Sequence, residues 1–178
     1  YRPLSNILHN SWINCLLCST NDKLYIGTYD GLGCLDIPTM DFVSTYEINR
    51  LLQGDVIYAL YEDLHHNIWV GTSQGLKQLN PQTQKVREYT ISDGLPSNSI
   101  SAIEGDANGN LWISTNFGIS RFNPGTQTFV NFYASDGLQG NEFSKGVSFA
   151  STQGEIIFGS TSGITYFNPG EITSPNKN

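Results

Sequence analysis

The chain has 178 residues, enough to bury a core, and sets nine Lys and Arg against sixteen Asp and Glu for a formal charge of −7. Such an acidic balance repels phosphate backbones and anionic headgroups, so neither nucleic acid nor direct membrane contact is expected. No apolar run approaches the roughly eighteen residues that a spanning helix needs, and the chain opens on Tyr1 with no charged-then-apolar leader, so it reads as a piece of a longer protein.

In chain order, residues 1–4 stand where an outermost strand is expected, and WINCLLCS at 12–19 reads as an apolar strand. Cys15 and Cys18 have the spacing of a redox or metal-ligand pair. Three apart on a strand they point to opposite faces, and thioredoxin-type chemistry needs the first thiol at a helix N-terminus. With Cys34 the cysteines are three, too few for a disulfide scaffold, and all are expected to be small buried apolar residues. Next come the apolar run LYI at 24–26, the turn GTYDG at 27–31, a second run at 32–35 closed by Asp36 and Pro38, and DFVSTYEI from Asp41.

This succession recurs. The position of Gly27 returns as Gly71, Ser114 and Gly159, in steps of 44, 43 and 45 residues; that of Gly31 returns as Gly75, Gly118 and Gly163 with the same steps. Each first position is preceded by a short apolar run, IWV at 68–70, LWI at 111–113 and IIF at 156–158, and each second is followed by another that is closed by Asn80, Asn123 or Asn168 and then proline. Uninterrupted apolar runs suit strands covered on both faces, and Asn-Pro halts them. The first glycine or serine is small for close packing, and the second supplies a positive φ in a tight turn.

Each period holds four short strands, in the second copy 56–61, 68–72, 75–79 and 86–91, and none has helical apolar spacing. Four strands repeating every 40 to 50 residues are the mark of a β-propeller blade. The expected fold is therefore all-β, with four-stranded antiparallel blades at about 11–50, 55–95, 98–138 and 143–170, an outer strand of a preceding or closing blade within 1–10, and a tail at 171–178. Four blades stand at the bottom of the usual range of about four to eight, so a fragment of a larger propeller, completed by a second copy in a homodimer or by more of its own chain, is favoured over a closed ring.

Within the frame, NIWVGTSQGL at 67–76 and GNLWISTNFGI at 109–119 resemble the two-component regulator propeller repeat, whose core runs roughly Asp, Gly, two residues, Trp, Ile, Gly, Thr, two residues, Gly, Leu. NDKLYIGTYDGL matches with Tyr25 in place of tryptophan, and SDGLPSN from Ser92 and SDGLQGNEF from Ser135 resemble the family's inter-blade linker. Ile157 departs from the pattern where an aromatic is preferred, while NEF and FGSTSGITYFNP resemble the family's final blade. The resemblance implies a place in the extracytoplasmic, periplasmic sensor region of a bacterial hybrid two-component sensor. There tandem propellers precede an immunoglobulin-like domain, a membrane helix and a histidine kinase core, and many members respond to polysaccharide breakdown products.

GTSQG at 71–75 also fits G-x-S-x-G, the nucleophile elbow. The counterparts of Ser73 are Tyr29, Asn116 and Thr161, no helix pattern follows Gly75, and His9, His65 and His66 have no evident partnering acid, so no catalytic residue is expected. Glu62, Asp63, His65 and His66 crowd one turn as metal ligands do, and Asp106, Asn108 and Asn110 resemble the start of a calcium loop that lacks its later glutamate. Solvated turns and side-chain-to-backbone turns are the plainer readings, and neither metal nor cofactor is expected. The residues framed by the two glycine columns vary: Tyr29 and Asp30, Ser73 and Gln74, Asn116 and Phe117, Thr161 and Ser162. Varied side chains on a repeated frame suit recognition, the aromatics stacking on a sugar ring and the polar groups meeting its hydroxyls. A propeller-type lyase or glycosidase and a protein-interaction scaffold are the other classes of function to weigh.

Overall fold

The computed structural model describes residues 12–43, 52 and 54–172. Blade one is β1 (Ile13–Cys18), β2 (Lys23–Thr28), β3 (Gly31–Asp36) and β4 (Asp41–Phe42). Blade two is β5 (Ile57–Glu62), β6 (Ile68–Thr72), β7 (Leu76–Asn80) and β8 (Lys85–Tyr89), and blade three β9 (Ile100–Gly105), β10 (Leu111–Thr115), β11 (Gly118–Asn123) and β12 (Thr128–Phe132). Blade four has β13 (Phe143–Ala150), β14 (Ile156–Ser160) and β15 (Gly163–Phe167) among the described residues. Each blade is an antiparallel meander in sequence order, and the first strands β1, β5, β9 and β13 stand side by side in chain order. The outer strand expected at residues 1–4 lies outside the described residues, as does most of DFVSTYEI.

Side chains alternate across a strand, so each blade has one face toward the preceding blade and one toward the next. In blades two and three both are apolar because both are covered. Trp69 of blade two meets Phe122 of blade three with ring centroids 5.6 Å apart, and Trp112 meets Phe167 one blade on at 4.6 Å. The three apolar cores follow the seams: Leu32 with Ile57 and Leu79, Leu76 with Ile100 and Phe122, Ile119 with Phe143 and Phe158. At the first glycine column the seam has no room for a side chain. A Cβ on Gly27 would lie 2.7 Å from Ile57 Cγ2, and one on Gly71 2.6 Å from Ile100 Cγ2. At the second column φ is +105° at Gly31, +147° at Gly75, +95° at Gly118 and +130° at Gly163, as the turns require.

The hairpins joining first and second strands explain the acidic turns. Asp63 accepts from the Trp69 indole N–H at 2.8 Å, the Asn67 amide side chain at 3.0 Å and the His65 backbone N–H at 2.9 Å. Asp106 repeats this with Trp112 at 3.0 Å, Asn110 at 3.0 Å and the Asn108 N–H at 2.9 Å. The start of a calcium loop is thus a turn whose carboxylate is spent on a tryptophan and its own backbone.

Three expectations need correcting. The fourth strand of blade two stops at Tyr89 and not Ile91, because a 3-10 turn at Ile91–Asp93 folds the Asp93 carboxylate back onto the Thr90 N–H at 2.8 Å. A matching turn at Ala134–Asp136 occupies the second S-D-G-L segment. Cys34 is buried and Cys15 half-buried, but Cys18 is exposed, since the end of β1 runs out to the hairpin. Burial pushes the Cys15 thiol up to about 12, which keeps it protonated and unreactive. Finally, His66 does have an acid beside it, as described below.

One carboxyl is half-buried against the grain. Burial raises the Glu104 carboxyl above the ordinary glutamate range, opposed by a hydrogen bond from Ser148. A raised folded-state value means the fold binds a proton that the unfolded chain gives up, so stability is full below the unfolded value and falls as pH rises through the folded one. Glu104→Gln is therefore expected to be neutral in acid and stabilising at pH 7, read as the pH dependence of the urea midpoint; a uniform shift at every pH would contradict it.

Candidate functional site

The turns between second and third strands are built alike. In each, a hydroxyl at the end of the second strand donates to the carbonyl of the second glycine, from Thr28, Thr72, Thr115 and Ser160 at 2.9, 2.9, 3.0 and 3.0 Å. The same oxygen accepts from the backbone N–H of Asp30, Gln74, Phe117 and Ser162. This staple fixes the backbone at the four varied pairs, whatever their side chains. The turns also sit at one end of the blades. Gly31 N–H donates to the Asp55 carbonyl at 3.0 Å and Gly118 N–H to the Asn141 carbonyl at 2.6 Å, each in the lead-in to the next blade's first strand.

On this frame Tyr29 and Phe117 are exposed, each braced edgewise or tilted by one aromatic: Trp12 at 5.9 Å and Tyr133 at 5.6 Å. Asp30 Oδ1 accepts from the Gly54 N–H at 3.2 Å, and Asn116 Oδ1 from the Ser97 hydroxyl at 2.5 Å, which leaves the Asn116 amide nitrogen for a ligand. Gln74, Thr161 and Ser162 are exposed and Ser73 half-exposed. Ser73 has no imidazole partner among the described residues; its backbone N–H is bound to Val56.

The sequence reading missed Lys145. From the residue that opens the first strand to the first glycine column there are 14 residues in blades one to three (Ile13 to Gly27, Ile57 to Gly71, Ile100 to Ser114) but 16 in blade four (Phe143 to Gly159), and this is the signal that would have revealed it. The surplus is a bulge in β13 between the pairs Phe143 with Ser160 and Ser148 with Phe158, with Gly146 at φ +67°. It carries Lys145 across β9, where its ammonium donates to Ser99 Oγ at 2.5 Å and the Ile100 carbonyl at 3.3 Å and lies 4.1 Å from the centre of the Tyr58 ring of blade two. Ser99 is also the backbone partner of Asn116, so the cation stands beside the varied turn of blade three. No carboxylate pairs with it among the described residues, and burial draws its ammonium below the usual lysine range.

A second polar cluster lies at the opposite end of the blades. Glu62 accepts from the Thr20 N–H at 2.9 Å and hydroxyl at 2.7 Å, and His66 Nδ1 lies 3.0 Å from both that hydroxyl and the carboxylate. Desolvation is the largest influence on Glu62 and opposes its ionisation, but its hydrogen bonds, led by those from Thr20, together outweigh it and hold the carboxyl below the usual range. Hydroxyl and carboxylate share one ring nitrogen, so the imidazole has no relay between them; the cluster ties blade one to blade two.

The repeated meanders and stapled turns define a β-propeller whose varied residues sit on alike, hydrogen-bonded turns. The family profile described as Two component regulator propeller matches residues 94–117, and the chain carries that family's repeat. Its fold is that of the extracellular domain of a hybrid two component system from B. thetaiotaomicron, with 27% identity and a TM-score of 0.83 over 95% of this chain and 23% of that one. A second extracellular domain from the same organism, of a one component system, aligns at 22% identity and 0.73 over 93% of this chain and 22% of its own. Virginiamycin B lyase from Staphylococcus aureus shares the fold at 18% identity and 0.61, over 92% of this chain and 57% of that one. This chain thus spans about a quarter of the first two relatives. No curated protein matches it, and among the described residues no helix is long and apolar enough to cross a membrane.

Proposed function

We propose that the chain is a non-catalytic part of the extracytoplasmic sensor region of a hybrid two-component sensor histidine kinase, and that it reads oligosaccharides at the end of the blades where the stapled turns gather. The observation that carries this is the likeness to the extracellular domain of a hybrid two component system along nearly the whole of this chain. Phosphorelay chemistry belongs to other domains of the same sensor chain, the kinase core among them. Tyr29 and Phe117 are the stacking surfaces, Asp30, Gln74 and Asn116 meet hydroxyls, and Ser73, Thr161 and Ser162 line the same turns. The uncompensated ammonium of Lys145 adds preference for a sugar that bears an acidic group.

Calorimetric titration against neutral and acidic oligosaccharides tests the reading. Tyr29→Ala and Phe117→Ala are each expected to weaken binding by roughly two- to tenfold, the worth of one ring contact. Lys145→Gln is expected to weaken acidic sugars only. Tight binding untouched by all three changes would overturn the site. Release of a chemically altered sugar would favour instead an enzyme, the reading suggested by the fold shared with the lyase.

A further inference from the structure

Where lysine side chains of this acidic chain are largely covered, they are paired: Lys23 with Asp36 and Lys77 with Asp55. Lys145 meets only neutral groups, Ser99 Oγ, the Ile100 carbonyl and the face of the Tyr58 ring, and no carboxylate pairs with it among the described residues. These contacts all lie on blades two and three, each of which has a neighbouring blade on both sides within this chain. Donors gather around the ammonium without free acceptors. Because Lys145 donates to Ser99 Oγ, the Ser99 hydroxyl keeps its own proton for a further acceptor, and none takes it among the described residues. Asn116 is held by its backbone N–H to the Ser99 carbonyl at 3.3 Å, and the Ser97 hydroxyl occupies its Oδ1, so its amide nitrogen is unclaimed as well. Next along the same turn stands Phe117, exposed and braced by Tyr133.

An ammonium, a hydroxyl proton and an amide nitrogen on adjoining residues select a ligand by what they lack. A sugar hydroxyl both gives and takes hydrogen bonds, whereas an oxyanion only takes them, and bonds from a charged donor to it are the stronger kind. We propose that Lys145, Ser99 and Asn116 form a seat for one oxyanion, the carboxylate or the sulfate ester of a sugar whose ring lies on Phe117. The sugar rests on the oligosaccharide reading given above; the oxyanion rests on the donors alone. A single ammonium matches a single negative charge. The turn of blade two, with Ser73 and Gln74, and that of blade four, with Thr161 and Ser162, offer no aromatic, so blade three is the turn that sets specificity.

Amine labelling of the full-length protein, read lysine by lysine by mass spectrometry, tests the seat beside calorimetry. The probes are a disaccharide ending in glucuronic acid, its counterparts ending in sulfated glucose and in plain glucose, and inorganic sulfate. An anion on the ammonium favours its charged form, which does not label, so the acidic probes are expected to slow labelling of Lys145 at least about fivefold. The neutral disaccharide should not slow it, and labelling of the exposed Lys85 should not respond to any probe. Lys145→Gln removes the charge, and Asn116→Asp keeps the acceptor for Ser97 but sets a like charge in the seat. Each is expected to lose at least about tenfold more affinity for the acidic disaccharides than for the neutral one. Whichever acidic form binds more tightly names the group. Acidic and neutral disaccharides binding alike, or labelling of Lys145 unmoved by every acidic probe, would overturn the seat and leave the oligosaccharide reading standing. Protection by inorganic sulfate with no disaccharide bound would keep the seat and overturn that reading.

Discussion

Trp69→Ala is expected to cost about 4 kcal/mol of folding free energy, within the roughly 3–5 kcal/mol seen when a large buried aromatic is truncated. Two losses add. The ring is fully buried between Tyr89, at 5.9 Å, and Phe122 of the next blade, at 5.6 Å, so its removal opens a cavity on the seam and not within one sheet. Its N–H is also the 2.8 Å donor to Asp63, whose carboxylate would keep only Asn67 and backbone partners. Trp69→Phe separates the terms. It keeps most of the apolar packing and drops the donor, for an expected cost of about 1–3 kcal/mol. Urea unfolding of the two variants decides between them: equal losses would place the stabilisation in the hydrogen bond, and a much larger loss for alanine places it in the seam. Since a domain of this size is stable by only about 5–15 kcal/mol, the alanine variant should also be visibly less populated in its folded form at 37 °C.

The repeat was legible because the seam writes itself into the sequence. A β-branched or aromatic residue must fit against the neighbouring blade, so the site it meets stays Gly or Ser, and the turn that follows needs a positive φ, so it stays Gly. Those two demands recur at Gly27 and Gly31, Gly71 and Gly75, Ser114 and Gly118, and they mark the blades and strand cores. What depends on partners distant in sequence was not legible. Thr20 and Glu62 stand 42 residues apart and meet only because blades one and two stack; the contact of His66 with Glu62, four residues apart in one turn, was within reach of the sequence. Asp106 resembled a metal ligand because its indole donor is six residues on and comes within reach only once the hairpin closes. Lys145 hid in an insertion whose direction, across β9 to Tyr58, no local pattern gives. The varied turn residues share one hydrogen-bonded frame, but their bracing by Trp12 and Tyr133 needed coordinates.

Gly71→Val is expected to be strongly destabilising. The backbone at Gly71 lies outside the left-handed region, so the glycine is there for space alone: a Cβ would lie 2.6 Å from Ile100 Cγ2 and 3.2 Å from the Cβ of Ala59. Contact that close forces β6 and β9 apart, and overpacking of this kind costs about 1–3 kcal/mol for a single added group, more for the branched pair of methyls in valine. Gly109→Ala is the control, since Gly109 has open space around it but φ of +77°, so its cost is conformational, about 1–2 kcal/mol. A double-mutant cycle identifies the cause. If steric conflict across the seam is the mechanism, Ile100→Ala, itself costly, removes the obstacle, and Gly71→Ala should be milder in that background by about 0.5–3 kcal/mol. Gly109→Ala, remote from the seam, should cost the same in both backgrounds. Simple additivity of Gly71→Ala and Ile100→Ala in urea unfolding would mean that blades two and three do not meet at this pair, and would remove the physical basis for reading the glycine column as the blade seam.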